Sequence, residues 1–432
     1  MRRLLPRVAL TLSLGLAGGV AGWALPVAAE GEFNTVGSFR LPGQLEVITS
    51  EDHTGGKVTV DTWVKAGSAA DFPGYPGLAY LTAHAVLDGG QRPLSQALAA
   101  LGATTKLEVL RDATHFSITL PAAQMAAGMD LIGAAFANPN FAQLDLTAVK
   151  ARIGVDYSKQ QADVALQASE LLMRELFGPD YGHKAIGQPE SLARTTMQDV
   201  QAFYDRYYVP SHVKVVLVGD FDTGKTVGQV VRSYAALLKR TAPAGQAPSR
   251  PLAQSAERKS VGTRAQLAAG ARGPAMGEQR DQATMAVLAD VLGGGEKSRL
   301  GRALADQAAS VTARWEALRG PGALIVQVTG DPKDTMAIER TVRDALAELR
   351  NAPVSLDEHA RSMAAVVQGY MADNDTQPEQ AATLGFFTTL AGDPLLARTY
   401  PEVVRQVSRN DLMEAAQKYL TPDAIKVVVL AP

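Results

Sequence analysis

The feature that most constrains this chain is a repeat. The segment RYYVPSHVKVVLV at 206–218 lines up with KYLTPDAIKVVVL at 418–430 at a constant offset of 212, with Tyr207/Tyr419, Pro210/Pro422 and Lys214/Lys426 coinciding. Asp199 and Asp411 keep the same offset, each near the start of a predicted helix, TMQDVQAFY and SRNDLMEAA. Each helix leads through a Pro-marked turn into an apolar, β-branched strand. One such unit could arise by chance, but its recurrence at the end of each half predicts two copies of one plan. Between them, Thr241 to Ala256 (TAPAGQAPSRPLAQSA) lacks apolar periodicity and reads as an extended linker. The predicted domains are therefore 30–240 and 257–432, joined by 241–256.

Residues 1–29 have a different character. Arg2, Arg3 and Arg7 precede an apolar run from about Val8 to Leu25, and Val27-Ala28-Ala29 precede Glu30. This is the layout of a cleavable secretory signal. An uncleaved anchor is the rival, but Gly15, Gly18, Gly19 and Gly22 dilute a run already short for a span. An exported, periplasmic protein with no membrane span after cleavage is expected. Removing Arg2, Arg3 and Arg7 from the 42 basic residues leaves 39 against 44 acidic, a net of −5, which argues against a nucleic-acid partner. The chain contains 0 cysteines, so disulfides, a thiol nucleophile, cysteine-ligated metal and a lipidated cysteine are all excluded. With 46% hydrophobic residues, the chain has apolar material for more than one core.

Within the first half, Lys57–Val64 alternates as a strand, Pro76–Leu87 and Leu94–Leu101 read as helices, Phe116–Leu120 as a strand and Ala122–Phe136 as a helix. Gly293-Gly294-Gly295 lacks the spacing of a phosphate-binding loop.

At Ala66–His84, AGSAADFPGYPGLAYLTAH, the sequence resembles the pitrilysin/insulinase-type zinc peptidases, the inverzincins that include the mitochondrial-processing-peptidase-like proteins. The resemblance continues through Gly102-Ala103, Asp112, Thr114 and Pro121, Asn138-Pro-Asn-Phe141, Phe177-Gly178, Gly187, Glu190-Ser191 and Phe203–Pro210. In the second half it includes LGGGEKSRL at 292–300, so it covers essentially all of 30–432. It implies an α+β fold, with two homologous α/β sandwich domains of antiparallel-rich sheets packed with helices, forming half of a clamshell that a second chain closes.

In active members of that family, two histidines of H-x-x-E-H ligate zinc and the glutamate is the general base. Here the first histidine position holds Tyr80 and the base position Ala83; only His84 remains. The resemblance places Asp156 at the distal ligand and Val149 at an accessory glutamate. Tyr80, Ala83, His84 and Asp156 are thus expected to be vestigial, with no catalytic residue and no zinc in this chain. Tyr80 could fill the metal's place by hydrogen-bonding His84 across one turn, and Asp156 could be an ordinary helix carboxylate.

Zinc-free relatives often partner a zinc-bearing paralogue, to which they lend an arginine and a tyrosine; those positions hold Ala305 and Thr312 here, with Arg302 and Arg314 nearby. Family substrates add as a strand to a sheet edge. The matching segment is Lys106–Arg111, which makes Lys106, Glu108 and Arg111 candidate contacts for a peptide or unfolded protein, unless it is an ordinary charge-protected edge. The expected function is an exported, non-catalytic subunit that pairs with a zinc-bearing peptidase and leaves the zinc to it. The alternatives are a self-contained scaffold or peptide-binding protein, and a weakly active metallopeptidase with an atypical site.

Overall fold

The computed structural model describes residues 35–88, 93–251 and 263–431; the expected signal at 1–29 lies outside them. Strands β1 (Val36–Arg40), β2 (Glu46–Glu51), β3 (Lys57–Val64), β4 (Thr104–Val109), β5 (Thr114–Pro121) and β6 (Val213–Gly219) form one sheet in the order β1-β2-β6-β3-β5-β4. Strands β7 (Ala265–Arg272), β8 (Ala308–Glu316), β9 (Ala323–Gly330) and β10 (Lys426–Leu430) form a second in the order β10-β7-β9-β8. Every pairing is antiparallel except β2 with β6. The fold is α+β, and β10-β7-β9-β8 repeats the order β6-β3-β5-β4.

The repeated unit is a helix ending in one of these strands. Helices Met197–Tyr207 and Arg409–Tyr419 each open on a capping box. In the first, Thr196 N donates to Asp199 Oδ2 at 2.7 Å and Asp199 N to Thr196 Oγ1 at 3.3 Å. In the second, Ser408 N donates to Asp411 Oδ2 at 2.7 Å and Asp411 N to Ser408 Oγ at 3.1 Å. Reciprocal capping satisfies amides that a helix start leaves unpaired, which is why both aspartates hold the same place. The strands that follow differ in setting. β6 lies between β2 and β3 and is buried throughout, whereas β10 is an edge strand with Lys426 exposed and Val427, Val428 and Val429 half-buried.

One face of the first sheet, with Val58, Val60 and Val64, packs on first-half helices, including Leu78–Asp88. Its other face is covered from the second half. Helix Gln377–Leu390 lies across β3, β5 and β6, and Ile48, Trp63, Val216 and Val218 join a core that contains Leu384 and Phe386. The reverse exchange also occurs. Helix Val164–Tyr181 lies on β7, β9 and β10, where Ala168, Leu172 and Leu176 pack with Ala268, Ile325 and Leu430. Each buried Val, Leu, Ile or Phe side chain among these contributes on the order of 1.5–3 kcal/mol, so each half is stabilised by a helix the other supplies.

Residues 241–251 have no helix or strand, and Arg250 fastens them to the first half. Its guanidinium donates to Gly74 O at 2.9 Å, Arg194 O at 3.0 Å and Ser191 O at 3.1 Å, and stacks 3.7 Å above the Tyr75 ring.

Strand β3 matches its predicted limits. The helix predicted from Pro76 begins at Leu78, because Asp71 takes the Gly77 and Ala79 amides at 2.7 and 2.6 Å. The helix predicted from Ala122 begins as a 3-10 turn and becomes α-helical at Met125.

Candidate functional site

Helix Leu78–Asp88 carries the degenerate motif, and buried Asp71 holds its start. Burial pushes the Asp71 pKa up against the opposing pull of His183, whose Nε2 lies 2.9 Å from Asp71 Oδ2, and of the two amides. One turn apart on the helix, Tyr80 and His84 meet ring to ring, with centroids 4.7 Å apart at 40°. The pair fills space by aromatic contact and not by the expected hydrogen bond. Burial, aided by the Asp156 carboxylate, pushes the Tyr80 phenol up to about 12, so it stays protonated at neutral pH. Ala83 is fully buried and has no group to accept a proton.

His84 turns toward the next position on its helix. Its Nδ1 stands 3.6 Å from Asp88 Oδ2 and has no hydrogen-bond partner among the described residues. Asp88 accepts from Ser95 Oγ at 2.6 Å and pairs with Arg152 Nη1 at 3.0 Å. Burial works to raise the Asp88 pKa, but His84, Ser95 and Arg152 outweigh it and hold the carboxyl low. Arg152 comes from helix Leu146–Gln161, which also carries buried Val149 and Asp156. Asp156 Oδ1 accepts from Lys159 Nζ at 3.1 Å.

These residues do not fit a catalytic zinc. Such a site needs three protein ligands around one open position, and a neutral phenol, one imidazole and a lysine-bound aspartate do not supply them. The Asp88 carboxylate nearest His84 is already matched by a guanidinium. Among the described residues, no group of three or more His, Cys, Asp or Glu side chains is arranged to hold a metal. The spacing of Asp88, four residues after His84, was the one sequence signal for this contact; nothing in the sequence pointed to Arg152.

The three candidate peptide contacts separate. β4 is an edge strand of the first sheet. Lys106 and Glu108 lie on it 2.8 Å apart, and Glu108 Oε2 approaches His115 Nε2 at 3.5 Å. His115 Nδ1 in turn lies 3.1 Å from both carboxylate oxygens of fully buried Asp61, and its ring stacks on Trp63 at 4.3 Å. Arg111 is only 8% exposed and is committed elsewhere. It donates to Tyr181 O, His183 O and Glu170 Oε2 at 3.1, 2.8 and 2.8 Å, with Glu316 at 3.5 Å. Arg111 therefore ties the β4–β5 turn to the exchanged helix and to β8, and its guanidinium does not reach the strand edge.

In the second half, Ala305 is exposed and Thr312 is half-buried on β8. Arg302 pairs with Glu358 at 3.1 Å, and Arg314 donates to Gln327 and to Ser169 of the exchanged helix at 2.6 and 2.8 Å. Arg302 thus serves a contact within the second half, and Arg314 contacts both within it and to the first half. No helix among the described residues is long and apolar enough to cross a membrane.

Comparison with known proteins agrees with this architecture. Residues 46–189 match the model of insulinase (peptidase family M16), and 194–366 match that of the peptidase M16 inactive domain. An uncharacterized zinc protease of Streptomyces coelicolor is 23% identical over 291 residues, a stretch that covers 63% of this chain and 62% of that relative. Among solved structures, a peptidase M16 inactive domain from Pseudomonas fluorescens superposes with a TM-score of 0.80 at 19% identity, covering 92% of this chain and 98% of that one. A protease from Helicobacter pylori gives 0.80 at 16% identity, covering 93% and 100%. A chain of complex III2 from Candida albicans gives 0.79 at 15% identity, covering 92% and 96%. At these identities the structural likeness is one of fold. The chain belongs to the insulinase-type peptidase family M16, with the family's inverted zinc motif reduced to its second histidine.

Proposed function

We propose that this protein is an exported, non-catalytic subunit that pairs with a zinc-bearing paralogue in peptide or protein processing. The observation that carries the reading is buried Ala83 at the place of the base, beside a Tyr80–His84 ring contact where two ligands would have to converge. Without a base or three ligands, a metal-bound water has nothing here to activate it. What the chain retains is the scaffold. The outer edge of β4 is free of a strand partner among the described residues, and an edge binds an extended peptide through main-chain hydrogen bonds that do not depend on the lost motif.

The test is to purify the chain, measure bound zinc and peptide hydrolysis, then mix it with a zinc-bearing paralogue from the same envelope fraction. The expected result is no hydrolysis by the chain alone and a stable heterodimer that cleaves peptide. Stoichiometric zinc with hydrolysis by the chain alone overturns the reading.

A second reading, a scaffold without a peptidase partner, draws on the fold shared with a chain of complex III2. A stable monomer or homodimer on size exclusion, unchanged by the paralogue, favours it.

A further inference from the structure

At one end of the first sheet lies an open cleft of about 480 Å³, lined by first-half residues and by Arg319 of the second half, within the usual ~300–1,000 Å³ of small-molecule sites. Lys65 follows β3, Ser211 and His212 precede β6, Tyr207 ends its helix, and Arg319 comes from the β8–β9 connection of the second half. Among the described residues lining the cleft, three cations, Lys65, Arg111 and Arg319, meet one carboxylate, Asp112. Arg111 lines it but is committed to Glu170 and Glu316, and Lys214 nearby is paired with Glu46 at 3.1 Å. Lys65 makes no ion pair within 4 Å among the described residues, although Glu46 attracts it from farther off, and buried His212 Nδ1 has no hydrogen-bond partner there.

Asp112 is the only carboxylate lining the cleft among the described residues. Its Oδ2 already accepts from Tyr181 Oη and Arg319 N, both at 2.8 Å, and its Oδ1 lies 3.9 Å from Arg319 Nε. One carboxylate thus faces Lys65, Arg319 and a histidine that can take a proton.

We propose that this cleft binds a small oxyanion, a phosphoryl or carboxylate ligand with at least two negative charges, held by Lys65 and His212 from the first half and Arg319 from the second. The Ser211 hydroxyl lines the cleft, and the Tyr207 hydroxyl, which accepts from Arg206, can still donate there. The groups repel one another when no anion is present. Burial, Arg319 and Lys214 push the Lys65 pKa down against the pull of Glu46, and burial, Lys65, Lys214 and Arg319 push that of His212 down. An anion reverses the neighbours' effect on His212, so binding takes up a proton and strengthens as pH falls. Because its ligands come from both halves, the anion also draws the β8–β9 connection against the first sheet. The inference stands apart from the proposed pairing with a peptidase, since none of these residues belongs to the degenerate motif.

Calorimetric titration of the whole chain with pyrophosphate and with citrate, at constant ionic strength, tests it. One saturable site is expected, weakened at least tenfold by Lys65→Ala or Arg319→Ala and unchanged by Arg340→Ala on a distant exposed helix. Affinity should be higher at pH 6 than at pH 8, and His212→Gln should flatten that dependence. Binding of pyrophosphate alone identifies a phosphoryl ligand, and binding of citrate alone a carboxylate. Removing a repelling cation should leave the ligand-free melting temperature equal or higher, which separates lost binding from lost folding. Absence of saturable binding for both anions, or an affinity that neither Lys65→Ala nor Arg319→Ala lowers from that of the unsubstituted chain, overturns the proposal.

Discussion

Trp63 and Gly270 occupy equivalent places in the two sheets. Trp63 of β3 lies opposite Lys214 of β6, Gly270 of β7 lies opposite Lys426 of β10, and those two lysines coincide in the repeat. Each sheet is crossed at this place by a helix from the other half, but bulk is divided in opposite ways. On the first sheet the strand supplies the indole and the helix supplies Gly385, where an added Cβ would lie 2.0 Å from Trp63 Nε1. On the second the helix supplies Leu172 and the strand supplies Gly270, whose Cβ would meet Leu172 Cδ2 at 3.2 Å and Leu324 O at 2.0 Å. Two copies of one plan have thus reached the close packing that interiors require by exchanging which element is large. A packing solution belongs to the pair of surfaces and not to either strand alone.

The largest expected effect exploits the different settings of β6 and β10. Val216 is fully buried at the position where the repeat places half-buried Val428. Val216→Asp leaves a charge without a partner in the core and should abolish folding, whereas Val428→Asp on the edge strand should cost about 2 kcal/mol. Circular dichroism and urea titration compare them, and equal losses would mean that the two copies are equally buried.

Arg111 comes next, because it joins the β4–β5 turn to both the exchanged helix and β8. Arg111→Ala leaves Glu170 and Glu316 without their shared guanidinium and should cost about 3–5 kcal/mol. Replacement of a single urea transition by two would show that this contact couples the halves; a single unshifted transition would show that it does not.

The halves should also respond to opposite ends of the pH scale. Burial works to lower the His115 pKa, but Asp61 and Glu108 overcome it and push the group up to about 9. The stability it contributes is fully present below its unfolded value, about 6.5, and is lost as pH rises through about 9, a loss of about 3 kcal/mol. In the second half, burial works to raise Glu358, but Arg299 and the Ser355 cap hold it down at about 2. Its contribution is present above about 4.5 and lost as pH falls toward 2. Urea midpoints across pH should fall at both ends. His115→Gln should flatten the alkaline limb alone and Glu358→Gln the acid limb alone.

The smallest effect probes the exchange of bulk itself. Gly385→Ala should cost about 1–3 kcal/mol through overpacking against the indole, and Trp63→Phe in the same chain should recover part of it. Gly270→Ala meets the Leu324 carbonyl, so Leu172→Ala should recover nothing. Thermal melts of the two double-variant cycles would reveal this asymmetry, and equal recovery would refute it.

Much of the fold was legible in the sequence. Strand β3 stands out by its alternation, and the two capped helices with their strands by the repeat, because capping and periodicity act between near neighbours. The degenerate motif was legible as well, since Tyr80 and Ala83 are substitutions at positions of known chemistry. The partners of these residues were not. The Arg152–Asp88 pair joins two helices, and Arg111 looks like a residue of the strand edge until Glu170 and Glu316 close on it from distant parts of the chain.

The sequence by itself therefore determined the two-copy plan, the helix caps, the exclusion of thiol chemistry and the loss of the first ligand and the base. Each follows from residue identity or from spacing within a few residues. Only the tertiary structure decided that the copies exchange helices, that β6 is interior while β10 is an edge, and that Lys65, His212 and Arg319 share one cleft. Those outcomes depend on shape and charge complementarity between segments far apart in the chain, and a local pattern does not record what will be packed against it.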